Sequence, residues 1–146
     1  MAEPQAAPHG TLQCVVVTPE RALVDEPADF VVLPMYDGEL GVLPGRAPLI
    51  GRLGFGELRV RRGGETQRFY VDGGFAQVRA NVVTVLTGKA VPAAELSAGA
   101  AEQALQAALR PATGDELEAH LKQQQRARAQ LRIARHSADG EPAVRH

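Results

Sequence analysis

The sequence predicts an α+β protein in which an antiparallel β-sandwich, or flattened barrel, is followed by a C-terminal helical hairpin. From residue 11 to about residue 90, β-branched and alternating runs are separated by turn signals about every eight to ten residues, with no helical period. Beyond residues 89–92 the aromatics disappear, and alanine, glutamine, leucine and arginine dominate, which favours helices. The predicted parts are a disordered lead-in at 1–10, the sandwich at 11–88, the helical hairpin at 93–135 and a frayed tail at 136–146.

Each predicted strand rests on its own residue pattern. Residues 12–17 form a nearly continuous β-branched run, as expected for a strand buried on both faces, and residues 30–33 form another. Clean alternation over residues 57–61 points Leu58 and Val60 toward the core. The remaining predicted strands are 67–71, 75–78 and 82–87, with turns at Gly63, Gly64, Gly73, Gly74 and Asn81.

Small apolar residues recur at helical spacing after the composition shift and predict the first helix of the hairpin, which ends at Arg110 and Pro111. Thr113 followed by Glu116 is a capping box, so a second helix is expected to begin there and run to about residue 135. The predicted apolar stripe of the first helix consists of Leu96, Ala100, Ala104, Leu105, Ala108 and Leu109.

One stripe of the second helix begins apolar and turns basic. Leu117 and Leu121 open the stripe and are expected to pack on the alanines of the first helix, whereas arginines continue it. The basic half can be buried only where acidic partners neutralise it, and the alternative is an ordinary solvated helix surface. The cations on or beside the stripe are Lys122, Arg126, Arg128, Arg132 and Arg135.

Charge and cysteine content exclude several functional classes. The 146 residues carry a net charge of −1 and an isoelectric point near 6.4, so nothing favours nucleic-acid binding. The single cysteine, Cys14, lies in an apolar run and is expected to be a buried small side chain and not a nucleophile. No apolar run approaches about eighteen residues, so direct membrane insertion is not expected, and residues 1–10 lack the features of a signal peptide.

The sequence offers little that an enzyme would need. Serine occurs only at Ser97 and Ser137, neither of them in a strand-to-helix elbow, and the predicted sandwich contains no histidine for a metal. Gly54 and Gly56 lack the third glycine of a dinucleotide-binding loop, and there is no Gly-Lys-Ser/Thr phosphate loop. No catalytic residue, cofactor or metal is therefore predicted.

Residues 36–50 combine glycines and prolines with aliphatic side chains. Gly38 and Gly41 flank Glu39 and Leu40, so a sharp turn there could push an acidic and an apolar side chain outward together. An exposed pair of this kind would form a contact surface for a partner. The alternative is a tight hairpin whose Leu40 folds back onto its own sheet.

The same stretch carries a family resemblance. Residues 38–49 read Gly-Glu-Leu-Gly-Val-Leu-Pro-Gly-Arg-Ala-Pro-Leu, which resembles the signature of the epsilon subunit of F-type ATP synthases of the bacterial and chloroplast type. That signature usually reads Gly-Glu-Leu-Gly-(aliphatic)-(any)-Pro-Gly-His-Ala-Pro-Leu, so Arg46 stands in place of a histidine. An aromatic-aliphatic run into a Gly-Gly pair at 69–75 and the run Val-Val-Thr-Val-Leu at 82–86 extend the resemblance over roughly residues 11–90.

The resemblance implies a non-catalytic rotor subunit that couples the catalytic head to the membrane ring and inhibits ATP hydrolysis through its C-terminal helices. Its implied partners are the central-stalk gamma subunit, the ring of c subunits and the catalytic alpha and beta subunits. Its implied location is peripheral, on the cytoplasmic face of the plasma (inner) membrane. The resemblance assigns ring contact to Asp37, Gly38, Glu39 and Leu40, and regulatory contact with the catalytic subunits to Lys122, Arg126, Arg128, Arg132 and Arg135.

A free-standing ligand or nucleotide sensor on the same fold is the alternative function. In the family that this chain resembles, the members that bind ATP share a Leu-Asp-x-x-Arg-Ala segment at the start of the first C-terminal helix. Here residues 96–101 read Leu-Ser-Ala-Gly-Ala-Ala, so Ser97 and Ala100 stand where those relatives carry an acid and an arginine. Without these charges the helix offers no partner to the phosphates, and specific ATP binding is not expected.

Overall fold

The computed structural model of the chain describes residues 10–111, 114 and 116–138, with the side chains of Ser137 and Ala138 outside the description. The predicted lead-in up to residue 9, the predicted tail beyond residue 138 and Thr113 of the predicted capping box lie outside these residues. The elements are β1 (Leu12–Val17), β2 (Ala22–Ala28), β3 (Phe30–Met35), β4 (Gly38–Val42), β5 (Leu49–Arg62), β6 (Glu65–Arg79), β7 (Val82–Leu86), β8 (Ala90–Pro92), a 3-10 helix (Ala93–Glu95), α1 (Ala98–Ala108) and α2 (Glu116–Ala138).

The strands form one open sheet in the order β2-β1-β7-β6-β5-β3-β4, with β8 paired to β6. β1 and β7 run parallel, whereas the other pairings of the described strands are antiparallel. Val24 of β2 and Val42 of β4 come from opposite ends of this order but lie in one buried cluster, so the sheet folds over on itself as a sandwich. The predicted α+β fold, a β-sandwich followed by a helical hairpin, is confirmed, and the sheet is not closed into a barrel.

Three strands were not predicted. β2 contains Asp25, Glu26 and Pro27, which are rare in strands, so the sequence does not predict a strand there. These residues are tolerated at the edge of a sheet, where β2 lies. β4 occupies part of the turn-rich stretch, and β8 continues the sandwich beyond residue 88.

β6 exchanges its inner and outer faces part of the way along the strand. Phe69 and Val71 are buried in the first half, and Ala76 and Val78 are buried in the second. Odd positions therefore face inward first and even positions later. Gly74 lies at the change with φ 109°, in a region that residues with a side chain rarely adopt.

β5 makes the same change beside it. Leu53 is buried before the change and Leu58 after it. Leu53 pairs with Gly74, and Phe55 pairs with Asp72, so the ladder keeps its register through this point. Because both strands change together, the outer surface of the β5–β6 pair is divided into two separate faces.

α2 covers the first of these two outer faces. Ala129 and Ile133 are buried against Tyr70 and Ala93, and Phe55 packs at the edge of this second core. The residues α2 buries here are four apart, as one side of a helix requires.

A second buried row of α2 faces α1. Ala127, Leu131 and Ala134 are buried but do not belong to the core beneath the helix, and Ala101 and Ala108 of α1 are buried as well. Small side chains at these positions let two helices approach closely. A hydrogen bond strengthens the contact between α1 and α2, since Gln124 Nε2 donates to the Ala108 carbonyl oxygen over 2.9 Å.

The predicted stripe of α2 is wrong, and that of α1 is right only in part, since Ala108 is buried and Leu96 packs on the second core. Leu117 and Leu121 are 49% and 48% exposed, so they do not pack on α1 as expected. On α1, Ala100 and Ala104 are exposed, whereas Ala101 is buried. The buried rows consist largely of alanine, which contributes little to a hydrophobic pattern read from leucines. α2 also continues through Ala138, beyond the predicted end of the helix.

Gly74→Ala tests whether the face change requires glycine. An added Cβ would collide with the Leu86 carbonyl oxygen and come within 2.9 Å of Thr87 Cα, in a backbone conformation that alanine disfavours. We expect a loss on the order of 3 kcal/mol in the free energy of unfolding, measured by urea denaturation. Gly64→Ala is the matched control, because a Cβ there meets nothing within 4 Å. Equal free energies of unfolding for the two variants would show that the change of face does not require glycine at position 74.

Candidate partner-binding surfaces

The turn-rich stretch forms a β-hairpin between β3 and β4, with Tyr36 and Asp37 at its tip. The expected loop over residues 37–40 is wrong, because Gly38, Glu39 and Leu40 belong to β4. Strand alternation points Glu39 outward and Leu40 inward, where it is half-buried against the main core. The structure therefore supports the alternative in which the leucine folds back onto its own sheet.

Glu39 is held by an ion-pair network on the outer surface of the sheet. Arg59 Nη1 lies 3.1 Å from Glu39 Oε2 and 3.0 Å from Glu57 Oε1, and Arg68 Nη1 lies 3.3 Å from Glu57 Oε2. Partial burial lowers the pKa of Arg59, but the hydrogen bonds that it donates to Glu57 and Glu39, and the charges of these carboxylates, raise the pKa overall. The Glu39 carboxylate is thus fixed in position although its side chain is 57% exposed.

The second outer face of the β5–β6 pair is apolar and uncovered by the described residues. Phe75 pairs with Arg52 of β5 on one side and with Leu86 of β7 on the other, so the three side chains share a face. Ile50 lies two residues from Arg52 on the same face, and the Arg52 guanidinium stacks over the Tyr36 ring at 4.6 Å. The four apolar members are Tyr36, Ile50, Phe75 and Leu86, which are 70%, 72%, 52% and 52% exposed.

Four of the five cations predicted on the second helix are exposed to solvent. Arg128 and Arg132 are exposed and form no ion pair with a residue that the structure describes. Arg135 lies 3.8 Å from Glu102 of α1, and Lys122 lies 4.0 Å from Glu118; both are loose surface pairs. The spacing of four and three residues places Arg128, Arg132 and Arg135 on one side of α2, and we call these three residues the arginine stripe.

Arg126 has a different position from the other four cations. Its Nε donates a hydrogen bond of 2.9 Å to Asp72 Oδ1, and its guanidinium lies 4.9 Å from the centre of the Phe55 ring. Phe55 and Asp72 are direct partners in the β5–β6 ladder, so both contacts of the arginine lie side by side on the sandwich. In this structure Arg126 holds α2 against the sheet and does not face a partner.

Two groups of residues escaped the sequence prediction. One is the receiving surface for α2, formed by Phe55, Tyr70 and Asp72, and the other is the uncovered apolar face. The alternation of apolar residues in β6 indicates that the strand has an inner and an outer face. The pattern does not show that Phe75 lies beside Leu86, because that contact depends on the pairing of β6 with β7. No signal in the sequence joins Asp72 to a residue fifty-four positions away.

Cys14 is buried as predicted, and Ser97 at the start of α1 caps the helix. Cys14 is completely buried, and burial, with smaller contributions from Glu26 and Asp25, raises the pKa of its thiol to about 12. The thiol is therefore protonated at neutral pH, and a buried thiol of this kind is not a nucleophile. Ser97 caps α1, with its Oγ accepting a hydrogen bond of 3.1 Å from the Ala100 amide.

These features define a class of protein: a β-sandwich with a docked helical hairpin, an exposed apolar face and an exposed arginine stripe. Among the residues that the structure describes, no cluster of histidine, cysteine and carboxylate side chains could hold a metal ion. None of the described helices is long and apolar enough to cross a bilayer.

Comparison with known proteins identifies the family. The family profile described as the β-sandwich domain of the ATP synthase delta/epsilon chain matches residues 11–93. The ATP synthase epsilon chain of Rhodopirellula baltica is 51% identical over 127 residues, which cover 86% of this chain and 99% of that relative. The chain belongs to the ATP synthase epsilon chain family, and the resemblance in its glycine-rich hairpin is confirmed.

Solved structures agree with the fold. A chain in the mitochondrial ATP synthase of Euglena gracilis, a structure of OSCP, F1 and c-ring in one rotational state, matches with a TM-score of 0.76 at 21% identity. That match covers 94% of this chain and 90% of the other. A chain in the central stalk and c-ring of the Tetrahymena thermophila enzyme matches with a TM-score of 0.67 at 13% identity, covering 91% and 99%. At these identities the likeness establishes the sandwich and the hairpin.

Proposed function

We propose that this epsilon chain is a non-catalytic central-stalk subunit that joins the rotor shaft to the ring of c subunits and restrains ATP hydrolysis. The observation that carries the proposal is the uncovered apolar face beside the hairpin tip, in a chain of this family. The structural likeness to chains of assemblies described as F1 with c-ring, or as central stalk with c-ring, supports the same placement. The subunit acts by shape and charge and uses no cofactor.

The shaft, the gamma subunit, is assigned to the apolar face formed by Tyr36, Ile50, Phe75 and Leu86. Large aliphatic and aromatic side chains that are half or more exposed on one side of a sheet are typical of a protein interface. Arg52 lies within this face and stacks on Tyr36, which gives the interface a central cation with an aromatic neighbour.

The ring of c subunits is assigned to the tip of the β3–β4 hairpin. Tyr36 and Asp37 project at the tip, and Glu39 follows on the outward side of β4. Leu40 is better explained as a support that anchors the hairpin to the core, since it packs inward. A short acidic hairpin fixed by Arg59 can transmit torque to polar loops through charge and shape.

The catalytic subunits are assigned to the arginine stripe. Three arginines on one side of α2 are exposed, and two of them have no ion-pair partner among the described residues. Acidic segments of alpha and beta subunits could neutralise them, and several partly desolvated pairs together can supply a few kcal/mol. The predicted location, peripheral on the cytoplasmic face of the inner membrane, follows from membership of such a complex.

The nucleotide-sensor alternative has no structural observation in its favour. Ser97, at the position of the acid in ATP-binding relatives, is engaged in capping α1. Ala100, at the position of the arginine, is exposed and offers no charge.

Ile50→Asp tests the shaft-binding face. A carboxylate at the centre of an apolar interface is desolvated without a partner, so we expect the affinity for the isolated gamma subunit to fall by at least roughly thirtyfold, or about 2 kcal/mol. Leu109→Asp is the control, because Leu109 is also exposed but lies at the end of α1. Titration calorimetry measures both variants. A face not used by the shaft would leave Ile50→Asp with the affinity of the unmodified chain.

Glu39→Lys tests the contact with the ring. The side chain is exposed, so the fold should survive, but the reversed charge should weaken assembly of the catalytic head on its membranes by about tenfold, or 1.4 kcal/mol. Glu65→Lys, at the β5–β6 hairpin on the opposite end of the sandwich, is the control. The measurement is coupled ATP-driven ion pumping of reconstituted membranes, with circular dichroism to check folding. Normal coupling in the folded Glu39 variant would remove the ring assignment.

Arg128→Gln combined with Arg132→Gln tests the regulatory contact. We expect ATP hydrolysis by the reconstituted complex to rise at least about threefold, with a smaller effect on synthesis, because two charge-assisted contacts are lost. Gln103→Glu combined with Gln106→Glu is the control, since it changes the net charge equally on exposed positions of α1, away from the arginine stripe and from the contact of α2 with the sheet. If hydrolysis by the arginine variant equals that of the unmodified complex, the stripe is only a solvated surface.

A further inference from the structure

Arg52 places a positive charge within the uncovered apolar face. It pairs across the β5–β6 ladder with Phe75, which pairs in turn with Leu86 of β7. Ile50 lies two residues away on the same side of β5, and its ladder partner Gln77 is uncharged. The neighbours of the cation on these strands are therefore apolar or neutral.

The tip of the β3–β4 hairpin fixes the position of this arginine. The Tyr36 amide donates a hydrogen bond of 2.9 Å to the Arg52 carbonyl oxygen, and the Arg52 guanidinium lies 4.6 Å from the centre of the Tyr36 ring. The ring occupies one side of the planar guanidinium, whereas its N–H donors stay at the edge, in the fork geometry that a carboxylate matches. Because Arg52 is exposed, a partner can reach these donors.

Within the described part of the chain, no carboxylate forms an ion pair with Arg52. The arginines of the other outer face differ in this respect, since Arg59 lies 3.0 Å and Arg68 lies 3.3 Å from Glu57. Asp37 is also at the hairpin tip, but it is not paired with Arg52. As long as the face is uncovered, water solvates the Arg52 guanidinium.

A partner that covers the face removes this water. A cation that is transferred out of water without a counter-charge is costly, so an apolar surface seated on Ile50, Phe75 and Leu86 must also neutralise Arg52. We propose that the surface of the gamma subunit that covers this face carries a carboxylate opposite Arg52, and that this pair makes Arg52 a specificity determinant of the interface. A purely apolar patch of the same shape is rejected by the unpaired cation. The inference rests on the proposed assignment of the gamma subunit to this face.

The affinity for the isolated gamma subunit, measured by titration calorimetry, distinguishes a paired arginine from an unpaired one. We expect Arg52→Leu to weaken binding by at least about tenfold, because it leaves the carboxylate of the gamma subunit desolvated without its partner. Without that carboxylate, the same change would replace a costly cation with an apolar side chain. Binding would then be unchanged or tighter, and this result would overturn the proposal.

Arg61→Leu is the matched control for the loss of charge. Arg61 is an exposed arginine of the same strand, its guanidinium lies 5.8 Å from the centre of the Phe30 ring, and no described carboxylate forms an ion pair with it. It lies beyond the change of face, on the other outer surface, so Arg61→Leu should bind the gamma subunit as the unmodified chain does. Circular dichroism checks that both variants are folded.

Charge reversal identifies the carboxylate. The partners are Arg52→Glu and a set of gamma variants in each of which one Asp or Glu is replaced by Lys. One of these variants should restore the binding of Arg52→Glu by at least about tenfold and weaken the binding of the unmodified chain. If every gamma variant fails to restore binding, the proposal is overturned.

Ile50→Asp separates this inference from the proposed function. Weak binding by Ile50→Asp together with normal binding by Arg52→Leu would overturn the carboxylate and keep the gamma subunit on this face. Normal binding by both variants would mean that the gamma subunit does not use the face, and the assignment itself would fall.

Discussion

The structure depends on the joint change of face in β5 and β6. In the β5–β6 ladder, Leu53 pairs with Gly74 and Phe55 pairs with Asp72. If only one of the two strands exchanged its inner and outer faces, this register would be lost. Because both change together, the same two strands line the core throughout but present two different outer surfaces. One surface receives α2, and the other stays apolar and uncovered by the described residues, beside the hairpin tip. The change of face at Gly74 therefore determines which outer surface receives α2 and which stays uncovered by the described residues.

Local patterns predicted the sandwich because its strands carry β-branched runs and glycine turns that act within a few residues. The failures have physical causes as well. β2 was missed since its acidic residues and Pro27 are tolerated only at an edge, and edges are defined by the whole sheet. The hairpin stretch was expected to turn at Gly38 to Gly41, but the turn lies at Tyr36 and Asp37, and the inward direction of Leu40 depends on pairing with β3.

The buried side of the second helix was harder to predict because two of its leucines are not on that side. Leu117 and Leu121 suggest an apolar row, but they are half-exposed, whereas alanines form the buried rows together with Leu131 and Ile133. An alanine contributes little to a hydrophobic pattern but allows the close approach that buries it. Of the five cations predicted as partner contacts, only Arg126 is used within the chain in a well-defined pair, and its partner Asp72 is distant in sequence.

Arg126 and the arginine stripe lie on different sides of α2, and this separation limits what the proposed regulatory contact can do. At about 100° per residue, Arg128 is roughly 160° away from Arg126 around the helix, and Arg132 is roughly 120° away, whereas Ile133 lies close to Arg126. The stripe is accordingly exposed while the helix is docked. A partner that contacts Arg128 alone, which has no ion-pair partner among the described residues, would bind the docked and released states equally and would shift nothing. A partner that favours the released helix must gain contacts that the docked helix cannot offer, such as contacts with Ala129 or Ile133, which are covered until the helix leaves the sandwich.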